Sequence, residues 1–286
     1  MDAILTVATG TDFCRNPYLQ VFFKSLSKCG YKGDVIVFTH DMSEDIRQIV
    51  QGYGYEIVEI DPTKIVYILH DRFYFYYEFL TKRKYDRVLL VDVKDVLFQD
   101  NPFKDAPENE PFVWFAGEGG VHSQSGWNTN DQRKCQLEMK AEYRHDLSNQ
   151  PVLNGGTILG TNNEIRSLCL LIWTQILRTE HQYTDQAALN YVYSILKNDP
   201  IYTVLMPQED SWAATGQGIN EGWFKPHWIN GKLWSLNCPY FLFHQWDRTE
   251  YKDLVLEKMG LVIRKFPEPE RLPPCHEFEK AVISFK

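Results

Sequence analysis

The feature that most constrains this chain is a run of branched apolar residues that stops at two acids. Arg87-Val88-Leu89-Leu90-Val91 is apolar at every position after the first, the composition of a strand buried on both faces. Such a strand needs helices on both sides of its sheet. The run ends at Asp92-Val93-Lys94-Asp95, so two carboxylates fall at a strand's C-terminal end. In open α/β sheets ligands collect in the crevice outside those ends, where acids can hold a cation against an anionic ligand. The same two acids also suit a solvated turn, because Asp is a common turn residue.

The chain before this stretch supplies the expected layers. Ala3 to Ala8, Asp34 to His40 and Tyr55 to Ile60 read as strands, with helices at Tyr18 to Cys29 and Ser43 to Gly52 between them. That β-α-β-α-β order predicts an α/β class, a mainly parallel sheet with helices on its faces. The loop from Thr9 to Pro17 has neither a Gly-x-Gly-x-x-Gly nor a Walker pattern, so dinucleotide and P-loop readings are weak. Arg72 to Leu80 predicts a helix whose aromatic residues are core. Arg72, at its start, can face the cleft or pair with Asp71 or Glu78.

Composition removes several function classes. The formal net charge of -8 argues against a generic binder of nucleic acid or anionic membrane. Hydrophobic content of 44% over 286 residues is enough for a sizeable core, which restricts disorder to the tail. The six cysteines lie far apart without a C-x-x-C pair, so zinc-knuckle and thioredoxin-like readings lack support. Scattered thiols, and a strand that begins directly after Met1-Asp2, give the expectation of a soluble, cytoplasmic protein with no integral membrane segment.

Downstream, Pro111 to Glu118 reads as a strand and the polar stretch Gly119 to Gln150 as a lid or insertion. Val152 to Gly160 is apolar but broken by Asn154-Gly155-Gly156, which suits close backbone approach to a ligand, a bulge or a hairpin turn. Asn163 to Glu180 predicts a helix, and Tyr183-Thr184-Asp185-Gln186 opens another, where Thr184 or Asp185 suits the N-cap. Ile201 to Met206, Lys232 to Asn237 and Tyr240 to Phe243 read as strands, the last running into His244, and Ser211 to Asn230 reads as a loop. From Leu261 the chain is interrupted by prolines and is expected to be a tail.

Singly these features are modest, but their order resembles that of the GT-A glycosyltransferases, most of all glycosyltransferase family 8, the glycogenin and bacterial galactosyltransferase type. The likeness extends over about residues 3 to 248. It implies a single domain over 1–260, with a nucleotide-binding half at about 1–103, an acceptor and donor-sugar half at about 104–260, and a tail at 261–286 packed on it. In such enzymes a D-x-D at the end of the central strand binds a divalent metal that bridges the diphosphate of a nucleotide-sugar. Here the acids are spaced Asp92-x-x-Asp95, with Lys94 where the second acid would stand.

The resemblance further implies that His244 is the third metal ligand. Two Asp oxygens, an imidazole and phosphate oxygens suit Mn2+ better than Mg2+. It places Asn154, Gly155 and Gly156 in a donor-sugar loop, with Asp185 on sugar hydroxyls and Gln186 near the reacting carbon. Arg72, Lys225 and Arg248 are the candidate cations for the departing diphosphate, and Asp92 is also a candidate for the ribose. Val7, Ala8 and Thr9 are placed against the base. The implied donor is a UDP-sugar ahead of a GDP-sugar, the acceptor a hydroxyl of a glycan, protein or small molecule, and the outcome retention of configuration. Inversion, with Asp185 or Glu118 as base, is an alternative. So are a sugar-1-phosphate nucleotidyltransferase and an inactive glycan-binding module.

Overall fold

The computed structural model describes residues 1–9, 17–126, 146–178 and 184–261. The first layers follow the chain: β1 (Ala3–Val7), α1 (Pro17–Leu26), β2 (Asp34–Thr39), α2 (Glu44–Gly52), β3 (Glu56–Glu59), α3 (Ile68–Lys82) and β4 (Arg87–Val91). There follow β5 (Val96–Phe98), β6 (Val113–Val121), β7 (Pro151–Thr161), α4 (Asn162–Ile176), α5 (Thr184–Leu196) and β8 (Tyr202–Leu205). The remainder comprises β9 (Ala213–Thr215), α6 (Gly216–Asn220), β10 (His227–Ile229), β11 (Lys232–Trp234), β12 (Leu242–His244) and α7 (Lys252–Lys258).

The main sheet has the order β3-β2-β1-β4-β7-β6-β8. It is mixed and mainly parallel as expected, with β7 antiparallel to both β4 and β6. Alternate residues of its inner strands feed opposite faces. Ala3, Leu5, Val88 and Leu90 pack with Phe73 and Tyr76 of α3, Leu168 of α4 and Leu189 of α5. Ile4, Leu89 and Val91 pack on the other side with Phe22, Phe23 and Leu26 of α1. This two-sided burial is why β4 carries apolar residues without alternation. Each such large side chain contributes about 1.5–3 kcal/mol on burial.

A second sheet, β5-β12-β9, carries the chain away from the acids. β12 runs antiparallel to β5, with His244 opposite Val96, and parallel to β9. The side chains of Leu97, Ala214, Phe243 and Trp246 then close a third core over Val255 and Leu256 of α7.

Several expectations shift. The Asn154-Gly155-Gly156 break is a bulge and not a hairpin turn: β7 runs on through it, and the β6–β7 pairing jumps there from Phe115–Ile158 to Gly117–Leu153. The stretch Ser211 to Asn230 contains β9, α6 and β10, elements of three to five residues that are too short to show a period. α1 stops at Leu26, and α4 spans Asn162–Ile176. Within the expected loop from Thr9, residues 10–16 lie outside the described residues, as do 127–145 of the lid, 179–180 of the helix expected from Asn163, Tyr183 and 262–286 of the tail. Among the described residues no helix is long and apolar enough to cross a membrane.

Candidate active site

β4 delivers Asp92 to the edge of a cleft of about 380 Å³. Its N–H still donates to the Gly156 carbonyl of β7 at 3.0 Å, so the carboxylate is fixed by the last rung of the sheet. The chain then turns, burying Val93 and Asp95 and leaving Lys94 exposed. Lys94 points its ammonium over the Tyr18 ring, 6.0 Å from the centroid. The second inward acid is therefore at position 95, the one that leads into β5.

His244 meets both acids. Its Nε2 lies 3.2 Å from Asp95 Oδ1 and 3.4 Å from Asp92 Oδ2. One ligand atom from each of the three residues falls within 4.8 Å of the others. Among the described residues both buried ring nitrogens of His244 lack a directed hydrogen bond, although two carboxylates face the ring. A buried imidazole left without a directed partner is costly, and a divalent cation shared with the two acids satisfies it, so the three residues fit a metal. Burial lowers the His244 imidazole, but Asp95 and Asp92 outweigh it and push it up to about 10.

A buried guanidinium links this cluster to β7 and to the start of α5. Arg72, 7% exposed, bonds Asp92 through Nη1 and reaches Asp185 Oδ2 at 3.1 Å and the Gly155 carbonyl at 3.3 Å through Nη2. It therefore pairs with neither Asp71 nor Glu78. Asp71 instead accepts from the N–H groups of Val66 and Tyr67, at 2.8 Å each, at the start of α3. Burial raises the Asp92 carboxyl, yet Arg72 and His244 hold it well below the usual carboxylate range. Burial pushes the Asp185 carboxyl up, with Arg72 opposing.

Asn154, Gly155, Gly156, Asp185 and Gln186 all line the same cleft as Asp92 and His244. Gly156 is there because nothing larger fits: a Cβ would lie 2.7 Å from Asp92 Oδ2 and equally close to His244 Nε2. Asn154 Oδ1 accepts from the Gly156 N–H at 2.9 Å. Arg248 also lines the cleft and places Nη2 3.4 Å from Asp95 Oδ2.

Other candidates stand apart. Lys225 is exposed between α6 and β10 and does not line the cleft. Val7, Ala8 and Thr9 end β1 on the same side of the sheet as Asp92 but outside the cleft lining, and the Ala8 N–H is already spent on the Phe38 carbonyl at 2.8 Å. Gln217 and Gln245 line the cleft without having been singled out. Their only sequence signal is that Gln245 follows His244.

The mixed, mainly parallel seven-stranded sheet flanked by helices has the GT-A fold of glycosyltransferases, and the paired acids and His244 meet at the end of its central strand. Solved structures that share this fold include LgtC. The crystal structure of an active-site mutant of LgtC matches with a TM-score of 0.59 at 16% identity, over 91% of this chain and 95% of that one. The galactosyltransferase LgtC in complex with donor and acceptor sugar analogs matches with a TM-score of 0.58 at 14% identity, over 92% and 96%. The GT-A fold that the motif order implies is thus met over more than 90% of the chain. No protein-family model and no curated protein matches the sequence.

Proposed function

We propose that the protein is a metal-dependent glycosyltransferase that moves a sugar from a nucleotide-sugar, a UDP-sugar ahead of a GDP-sugar, to an acceptor hydroxyl with retention. The observation that carries this reading is the meeting of Asp92, Asp95 and His244 at the edge of a polar cleft that also holds Arg72, Asn154, Asp185 and Gln186. In this reading Asp92, Asp95 and His244 hold the cation, with Mn2+ favoured over Mg2+ by the mixed nitrogen and oxygen donors. When bound, the metal offsets the charge that builds on a departing diphosphate.

The chain's own residues supply the rest. Arg248 adds positive charge beside the diphosphate. Arg72 holds Asp92 and Asp185 in fixed positions, so that Asp185 accepts hydrogen bonds from donor-sugar hydroxyls. The Asn154-Gly155-Gly156 segment lets the sugar lie against the backbone. Gln186 presents its amide to the reacting carbon. The acceptor is a hydroxyl of a glycan, protein or small molecule entering the open side of the cleft.

The test is a screen of nucleotide-sugars for slow hydrolysis with Mn2+, with Mg2+ and with a chelator. Release of UDP from one UDP-sugar, supported best by Mn2+ and lost with the chelator, is the expected result. Hydrolysis indifferent to metal, or none with any donor, contradicts it.

A further inference from the structure

We propose that Glu118 is a positioning residue that sets which end of the Gln186 amide faces the donor sugar. This rests on the glycosyltransferase reading above for its catalytic consequence, though not for its geometry. Glu118 lies on β6, is 1% exposed, and lines the cleft. Its Oε1 accepts from Asn154 Nδ2 at 3.1 Å and from Gln186 Nε2 at 3.3 Å. In both contacts the Glu118 oxygen is the acceptor, so both amides turn their NH2 groups toward it. With Nε2 held there, Gln186 presents its carbonyl oxygen on the opposite side.

The surroundings make Glu118 a fixed reference. Gly119 beside it has φ of 102°, and the β6 register shifts on both sides of Gly117. A Cβ at Gly218 would collide with the Glu118 carbonyl, so α6 packs directly onto this backbone. The backbone of Gln186 is anchored separately. Asn190 Nδ2 donates to its carbonyl at 2.8 Å and to the Leu153 carbonyl at 3.2 Å, while Asn190 Oδ1 accepts from the Leu153 N–H at 2.9 Å. Asn190 therefore fixes where the Gln186 side chain begins, and Glu118 fixes how its amide is turned.

The orientation has a chemical consequence. As a glycosidic phosphate bond breaks, positive charge grows on the sugar ring. A carbonyl oxygen aimed there stabilises that charge, whereas an NH2 group opposes it. Glu118 acts on the reaction through Gln186, with its Oε1 engaged by both amides.

The experiment compares the parent, Glu118→Gln, Glu118→Asp, Gln186→Ala and the Glu118→Gln/Gln186→Ala pair. UDP-galactose and UDP-glucose serve as donors with Mn2+, and UDP binding with Mn2+ is measured by calorimetry. Glu118→Gln should lower kcat by roughly 10- to 100-fold, the scale of a misplaced catalytic group, with KM and UDP affinity within about twofold. The pair should be no slower than Gln186→Ala alone, and the pH profile of kcat should keep its shape. A Glu118→Gln kcat within twofold of the parent, losses that multiply in the pair, or a lost acidic limb would overturn the assignment, the last identifying Glu118 as a base. The Gln186 side-chain NH2 signals, read by NMR, should shift in Glu118→Gln and less in Glu118→Asp. Unmoved signals overturn the contact whether or not the parent turns over, which separates this inference from the functional reading.

Discussion

His244 stands opposite Val96 in the β5–β12 ladder, and this single pairing brings its Nε2 to 3.2 Å from Asp95 Oδ1. The Gln245 N–H closes the ladder on the Asp95 carbonyl at 2.7 Å. A late strand is thus zipped to the segment directly after the acids, and the imidazole is placed by backbone register rather than by its own contacts. Gln245 adopts a left-handed conformation with φ of 58°, which turns the chain away directly after His244.

Gly156 tests how tightly this cluster is built. In Gly156→Ala the new methyl group would press on Asp92 Oδ2 and the His244 ring, while the rest of β7 keeps its ladder. We expect Mn2+-dependent nucleotide binding to weaken at least tenfold, with a cost in stability of about 1–3 kcal/mol from overpacking. Unchanged metal affinity would show that the cluster is looser than its contacts indicate.

Arg72 is the buried counter-ion of two acids on different elements. Arg72→Met keeps much of the side chain's volume but leaves Asp185 without its cation and Asp92 with only the His244 imidazole beside it. Removing one partner of a buried ion pair costs about 3–5 kcal/mol. Urea unfolding should register a loss of that order, shrinking when Asp185→Asn is added. A loss below about 1 kcal/mol would mean that solvent already screens the trio.

Lys94 and Asp95 separate the two possible spacings of the acidic motif. Lys94 is exposed against Tyr18 and Asp95 is buried against His244. Lys94→Ala should leave metal affinity within about threefold, since exposed cation–π contacts are worth only about 0.5–1 kcal/mol. Strong loss of Mn2+ binding in that variant would move the site toward position 94.

The sequence made the two-sided burial of β4 legible, because Val88 to Val91 supply core side chains to alternate faces without a polar break. It also marked Asp92, Asp95, His244, Asn154 and Asp185, since each is a chemically distinct group at the end or break of an apolar run. What it hid was register. Arg72 was visible as a cation near a helix start, but its partners come from β4 and α5, and local spacing offered only Asp71 and Glu78. The position of Gln186 against Glu118 depends on the irregular β6–β7 ladder, and short elements such as β9 carry no periodicity to read. Lys225 looked equivalent to Arg248 as a cation, yet only Arg248 follows β12 into the cleft.

The neutral state of His122 predicts an acid limb of stability. His122 is 3% exposed with Nε2 3.0 Å from Asn190 Oδ1, and burial lowers its imidazole to about 4 while that hydrogen bond opposes the shift. An unfolded histidine titrates near 6.5, so between pH 6.5 and 4 the unfolded chain takes up a proton that the native state refuses. The contribution is complete above pH 6.5 and is lost as pH falls toward 4, amounting to roughly 3 kcal/mol. His122→Gln should flatten the unfolding free energy across that window. An unchanged slope would assign the acid limb to other groups.

Titration calorimetry of UDP into the protein, with and without Mn2+, tests the central claim most directly, using the parent and Asp95→Ala side by side. The account predicts saturable UDP binding in the parent that weakens at least tenfold when Mn2+ is withheld, and a much smaller metal dependence in Asp95→Ala. UDP binding indifferent to Mn2+ in the parent, or full metal dependence in Asp95→Ala, would contradict it.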